Sequence, residues 1–157
     1  MDGEFLCEDS FGTAKGVAGG NFLIAGKTQA ETLVAAEAAV IACRKVHGVI
    51  LPFPGGIVRS GSKVGSKYPG LKASTNEAYC PTLRGAVESK LPPDAHAMYE
   101  LVIDGLSLTA VETAMYDGMV AASRMPGIVQ ISAGNYGGKL GPYHIHLHKL
   151  IAEAAKC

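Results

Sequence analysis

Apolar positions concentrate in two stretches of the chain that follow the same order. The first runs Phe22-Leu-Ile-Ala-Gly26, then Thr28-Gln-Ala-Glu31, an alanine-rich stretch to Arg44, Gly48, Val49-Ile50 and finally Gly55-Gly56. The second runs Leu101-Val-Ile-Asp-Gly105, then Thr109-Ala-Val-Glu112, an alanine-rich stretch to Arg124, Gly127, Ile128-Val129 and finally Gly137-Gly138. Each reads as a β-type run, a glycine turn, a Thr-x-x-Glu capping box, a helix, a glycine and a second β-type run. In such a box the threonine hydroxyl and the glutamate each satisfy a backbone N–H that the first helical turn leaves unpaired. Leu33, Val34, Val40 and Ile41, with alanines between them, predict the apolar face of the first helix. Val111, Ala114, Met115, Met119 and Ala122 predict that of the second. The glycines after both helices suit a left-handed C-terminal cap.

Two β-α-β units in succession predict an α+β fold, a ferredoxin-like split β-α-β sandwich with an antiparallel sheet and two helices on one face. A long polar loop insertion then joins the second strand to the third. Segment 143–150, Tyr-His-Ile-His-Leu-His-Lys-Leu, alternates with period two and predicts an extra C-terminal strand. Segment 4–9 is a candidate for another. At 157 residues the chain is expected to form a single domain, large enough to bury a core.

The run from Pro54 to Arg84 breaks the periodicity. It is rich in glycine, serine and lysine and has almost no helix or strand period, and a stretch of that length inside a domain points to binding or catalysis. Gly56-Ile-Val-Arg-Ser-Gly61-Ser62-Lys63 resembles a nucleotide phosphate loop but fails its test. Ser and Lys are transposed, and no helix pattern follows. A looser reading keeps the backbone N–H groups of Gly55, Gly56 and Gly61, with Arg59, Lys63, Lys67 and Lys72, as a cradle for a carboxylate or phosphate. A solvated basic loop is the competing reading.

Composition narrows the classes. Fourteen basic residues balance fourteen acidic ones, so no nucleic acid or membrane partner is implied. No apolar run approaches the length of a membrane span, and no secretory signal opens the chain, so a cytoplasmic protein is expected. Cys7, Cys43, Cys80 and Cys157 lack metal-ligand spacing and read as reduced thiols. Twenty glycines, nearly twice the usual ~7%, point to loops that approach something closely.

Three further sets of side chains carry possible chemistry. His144, His146 and His148 share one face of the expected strand, about 7 Å apart. They would diverge too far to close a tetrahedral metal site without an outside ligand, so a polar strand face is the favoured reading. Glu100 opens the apolar run Glu-Leu-Val-Ile-Asp-Gly. A carboxyl among apolar neighbours is pushed toward its protonated form and can donate a hydrogen bond or a proton. An edge-strand glutamate facing water is the alternative, which the residues alone place slightly ahead. Ser74, Thr75, Asn76, Glu77 and Cys80 could grip a polar heterocycle or form a run of turns.

Four strings, PFPGGIVRSGSKVGSKY (52–68), LKASTNEAYCPTLRG (71–85), YELVIDGL (99–106) and ISAGNYGGKLGPYHIHL (131–147), together resemble the formylmethanofuran–tetrahydromethanopterin formyltransferase family. The resemblance runs from about Asp2 to Leu150 and concerns the C-terminal lobe of a two-lobe enzyme. It implies formyl transfer between the amine of methanofuran and N5 of tetrahydromethanopterin in the one-carbon metabolism of archaea and methylotrophic bacteria. It implies no prosthetic group, with the two coenzymes as co-substrates, and assembly as a dimer or tetramer. Glu100 matches the buried acid of the family. Gly55, Gly56, Arg59, Ser60, Gly61, Ser62, Lys63, Ser74, Thr75, Asn76, Glu77 and Cys80 fall on the substrate-binding segments.

Family members are about twice as long and build their clefts from both lobes. The chain can therefore be an excised lobe, a truncated product or a split subunit that meets a missing N-terminal lobe. A non-catalytic lobe that binds pterin or methanofuran, or that serves assembly, is the competing function. An unrelated anion-binding regulatory domain is a third.

Overall fold

The computed structural model describes residues 3–59, 77–134 and 141–154, with backbone only at 59, 153 and 154. The fold is α+β. Its centre is an antiparallel pair, β1 (Val17–Gly26) and β4 (Ala97–Gly105), in register from Gly20 opposite Ile103 to Gly26 opposite Ala97. β5 (Ile128–Ser132) lies antiparallel along the other edge of β1, with Leu23 opposite Ser132 and Ala25 opposite Gln130. β2 (Val49–Ile50) and β3 (Val58–Arg59) are both antiparallel to β4, β2 at Asp104 and Gly105 and β3 at Tyr99 and Glu100. These two short strands share one edge of the sheet, in the order β2-β4-β1-β5.

Helices α1 (Gln29–Cys43) and α2 (Leu108–Ser123) follow β1 and β4. Alternation along the strands divides the sheet into two faces. Phe22, Ile24, Leu101 and Ile103 point to the helices and form one core with Ala35, Ala36, Ala39, Val40, Cys43, Val111, Ala114, Met115, Met119 and Ala122. Leu23, Ala25 and Met98 point the other way and meet Leu91, Ala95 and Tyr79.

The repeat seen in the sequence is a structural exchange. The Lys27 N–H donates to the Gly127 carbonyl at 2.9 Å, and the Leu106 N–H donates to the Gly48 carbonyl at 2.8 Å. Each unit's strand end is thus tied to the glycine after the other unit's helix. Gly48 and Gly127 have φ of +82° and +76°, the left-handed region that glycine enters without steric cost.

The helix faces differ from the expectation. α1 buries Thr32, the three alanines, Val40 and Cys43, whereas Leu33, Val34 and Ile41 face outward, the last two 52% and 61% exposed. Close helix packing is the reason, because only small side chains fit between α1 and α2. A β-carbon at Gly118 would lie 2.7 Å from Cys43 Sγ and 2.8 Å from Phe22 Cζ. The expected face of α2 is the buried one, with Gly118 added to it.

Thr28 caps α1, accepting from the Glu31 N–H at 3.2 Å. Its hydroxyl also donates to the Glu31 carboxylate at 2.7 Å, so the glutamate engages the threonine side chain. In the second unit the cap is Ser107, which accepts from the Ala110 N–H at 3.2 Å, and Thr109 lies inside α2. The expected Thr109–Glu112 box was two residues late, because Gly105 and Ser107 correspond to Gly26 and Thr28.

Two expected strands are absent. Segment 4–9 has no strand and lies exposed. Segment 143–150 enters a helix, α3 (Leu147–Ala154), begun by Lys149 and Leu150 amides donating to the His146 carbonyl. Ile145, Leu147 and Leu150 pack on the helix-side core, and the three-residue step from Leu147 to Leu150 is helical.

Packing predicts that Gly118→Val lowers unfolding free energy by about 1–3 kcal/mol, the cost of overfilling a packed core, measurable by urea denaturation. A wild-type midpoint would contradict the packing argument. Burial, reinforced by Asp117, pushes the Cys43 thiol up from 9.0 to about 12. Its Sγ donates to the Ala114 carbonyl at 3.2 Å. The native chain keeps a proton that the unfolded chain releases near 9, so this contribution is intact below pH 9 and is lost as pH rises toward 12. Wild type should therefore lose stability relative to Cys43→Ala above pH 9 by up to about 1.4 kcal/mol per pH unit. A difference independent of pH in paired urea titrations would contradict it.

Candidate functional site

The face of the sheet turned away from the helices carries a buried polar pair. Glu100 stands on β4 between Leu23 of β1 and Val58 of β3, and is 7% exposed. Asn21 of β1 is 9% exposed, and its Nδ2 donates to Glu100 Oε1 at 2.9 Å. Asn21 lies opposite Val102, so the bond runs diagonally across the β1–β4 ladder. Of the two readings of Glu100, the buried one holds: the residue occupies the central pair of the sheet with apolar neighbours on both sides. Gln130, opposite Ala25 on this face, adds an amide whose buried Oε1 lacks a hydrogen-bond partner among the described residues.

A segment of turns covers part of this face. Leu91, Ala95 and Tyr79 pack on Leu23, Ala25 and Met98. Arg84 holds the segment in shape: Nη2 donates to the carbonyls of Pro92 at 2.8 Å and Ala95 at 2.6 Å, and Nη1 to that of Pro93 at 3.4 Å. The His96 N–H, donating to the Gly26 carbonyl at 2.9 Å, joins the segment's end to β1. A cavity of about 290 Å³ opens where Pro81 and Thr82 meet Gln29 and the stretch from His96 to Tyr99.

The other expected site residues fall into three groups. Ser60, Gly61, Ser62, Lys63, Ser74, Thr75 and Asn76 lie outside the described residues, as does the side chain of Arg59. Glu77 begins a short 3-10 turn and is half-buried, while Cys80 is fully buried with Sγ 3.2 Å from Thr82 Oγ1. Gly55 is exposed with open space at its α-carbon. Gly56 is buried, and a β-carbon there would lie 2.9 Å from Val40 and 3.2 Å from Leu51. Its N–H donates to the Phe53 carbonyl at 2.8 Å, so this glycine serves a turn and close packing, and its amide is not directed at an anion.

His144, His146 and His148 are exposed, and they bracket the start of α3 instead of sharing a strand face. Among the described residues no cluster of three or more His, Cys, Asp or Glu side chains is placed to hold a metal, and no helix is long and apolar enough to cross a membrane. Asn21 was missed by the sequence reading. Its signal was a polar residue at the head of the apolar run Asn-Phe-Leu-Ile-Ala, in phase with Leu23 and Ala25 and so on the face they bury.

Comparison with known proteins places this geometry. A family model described as "FTR, proximal lobe" matches residues 3–150. Formylmethanofuran–tetrahydromethanopterin formyltransferase from Methanothermus fervidus is 57% identical over 152 residues, covering 96% of this chain and 51% of the relative. The enzyme of that name from Methylococcus capsulatus is 54% identical over 155 residues, covering 97% and 52%. The solved formyltransferase of Methanosarcina barkeri superposes with a TM-score of 0.78 at 52% identity, over 86% of this chain and 46% of that one. A chain of the formyltransferase/hydrolase complex FhcABCD from Methylorubrum extorquens, solved with methylofuran, gives 0.75 at 50% identity, over 87% and 44%. The chain spans about half the length of these relatives. By the extent of the family match and these identities, the chain belongs to the formylmethanofuran–tetrahydromethanopterin formyltransferase family, within its proximal lobe.

Proposed function

We propose that this chain is the proximal lobe of a formyltransferase that moves a formyl group between the amine of methanofuran and N5 of tetrahydromethanopterin. The observation that carries the reading is Glu100, a carboxyl 7% exposed on the central strand pair, in a chain this similar to named formyltransferases. The order β2-β4-β1-β5, with the α1 and α2 cores on one face, supports reading the lobe as a single ferredoxin-like split β-α-β sandwich.

The chemistry asks for a donor at the formyl oxygen. N5 attacks the formyl carbon, a C–N bond forms, and the carbonyl π electrons move to oxygen in a tetrahedral adduct. Glu100, protonated, stabilises that oxyanion by donating its O–H, and removal from water strengthens the interaction. Collapse restores the carbonyl and breaks the bond to the methanofuran nitrogen, which leaves as an amine after taking up the proton lost from N5. The protein's part is to hold two bulky amines together and to supply the hydrogen-bond donor. The reaction balances with the two coenzymes as co-substrates and no prosthetic group.

Arg59, Ser60, Gly61, Ser62, Lys63, Ser74, Thr75, Asn76 and Glu77 are proposed to line the cleft, on their resemblance to the family's segments. Assembly with a partner lobe or further copies of itself is proposed on the two-lobe build that the resemblance implies and on the multi-subunit complex of the Methylorubrum extorquens neighbour. Coenzyme substrates of this class support a cytoplasmic location.

Formyl transfer should be assayed with this chain alone and with a complementary distal lobe added. Glu100→Leu, which removes the O–H without supplying an amide donor in its place, should retain coenzyme binding and lower kcat roughly 10²–10³-fold, the cost of removing one oxyanion donor. Turnover equal to wild type in the active assembly would remove Glu100 from the mechanism.

A further inference from the structure

We infer that Asn21 is a positioning residue that sets the rotation of the Glu100 carboxyl and selects Oε2 as the oxygen carrying its proton. The inference deepens the proposed role of Glu100 and rests on it. The two side chains reach each other from strands far apart in sequence, and both are nearly excluded from water. An amide NH₂ group only donates. The Glu100 oxygen that it meets, Oε1 at 2.9 Å, is therefore an acceptor. In a neutral carboxyl group the carbonyl oxygen is the stronger acceptor and the hydroxyl oxygen bears the proton. Donation to Oε1 thus favours the tautomer with the proton on Oε2.

The geometry around the pair supports a positioning role. Leu23 and Val58 flank Glu100 across the two ladders and offer the carboxyl no polar partner. Apolar contact with these two side chains does not by itself fix rotation about the terminal carboxyl bond, because that torsion has broad minima. A hydrogen bond from a side chain rooted in the central ladder restricts it. Buried polar side chains are costly unless paired, and the bond to Glu100 meets part of that need for Asn21 on this face.

The test separates orientation from fold and from formyl transfer itself. In the full chain, assembled as in the active preparation, the infrared C=O band of protonated Glu100 is identified by its disappearance in Glu100→Gln. Asn21→Ala should move that band to higher wavenumber, because the carbonyl oxygen loses a donor. It should also lower kcat roughly tenfold, the worth of one hydrogen bond, with little change in KM.

Asn21→Asp is the isosteric control for folding. Protonated at low pH, its carboxyl can donate to Oε1 again, so turnover should recover as pH falls, while Asn21→Ala stays low at every pH. A merely structural role would give no such recovery. The inference is overturned if Glu100 shows no protonated band at neutral pH. It is also overturned if the band stays in place in Asn21→Ala, or if the two Asn21 variants lose kcat equally at all pH values. Should Glu100→Leu leave turnover unchanged, the catalytic reading fails, while the band position still decides the orientation of the carboxyl.

Discussion

Everything in this lobe depends on two β-α-β units approaching until backbone meets backbone. The reciprocal bonds, Lys27 N–H to the Gly127 carbonyl and Leu106 N–H to the Gly48 carbonyl, form only because a glycine stands at each end of the exchange. A β-carbon at Gly26 would overlap the Thr32 side chain, and one at Gly105 would lie 2.7 Å from Val111. Thr32 and Val111 hold equivalent places in the first turns of α1 and α2. The same constraint recurs in the helix layer, where alanines on α1 and Gly118 on α2 keep the helices close over Phe22. Dense packing, more than the bulk of any one side chain, supplies the cohesion of this core.

That rigid layer leaves the other face of the sheet to carry the polar pair. Phe22 and Ile24 hold β1 against the helices, while Asn21, Leu23 and Ala25 present the opposite side. On β4, Leu101 and Ile103 play the first role and Met98 and Glu100 the second. A polar pair placed on central strands inherits their stiffness, which the proposed role of Glu100 requires. The turn segment that covers part of this face has little regular structure and is held by the Arg84 guanidinium on three carbonyls. Charge-assisted bonds of this kind can organise backbone that has no ladder of its own.

The outward side of α1 shows how far the helix departs from simple amphipathicity. Val34 and Ile41 face away from the core, and Ala35, Ala36 and Ala39 face in. A helix chosen for close approach must put its small residues inside, which reverses the usual inference from side-chain size to burial. The chain also spans only about half the length of the formyltransferases it matches. The fold of the lobe and the composition of a complete enzyme are thus separate matters.

The sequence by itself determined the repeated β-α-β order, the position of both helices, the cap at Thr28 and the family. These are local or pattern-level properties: a hydroxyl before a helix, a glycine after it, and long glycine- and serine-rich strings that few folds share. It also singled out Glu100, by a carboxyl at the head of an apolar run. Tertiary structure decided the rest. Two residues of register separate Ser107 from the expected cap at Thr109, and local pattern could not choose between them, since both are helix-starting residues. The alternation through His144, Ile145, His146 and Leu147 suited a strand until Leu150 and the core drew the segment into a helix. Whether Glu100 faced water or the interior depended on β1 and β3 lying on either side of β4, contacts between segments distant in the chain. The bond from Asn21 has the same origin: it joins residues that only the pairing of β1 with β4 brings within 2.9 Å.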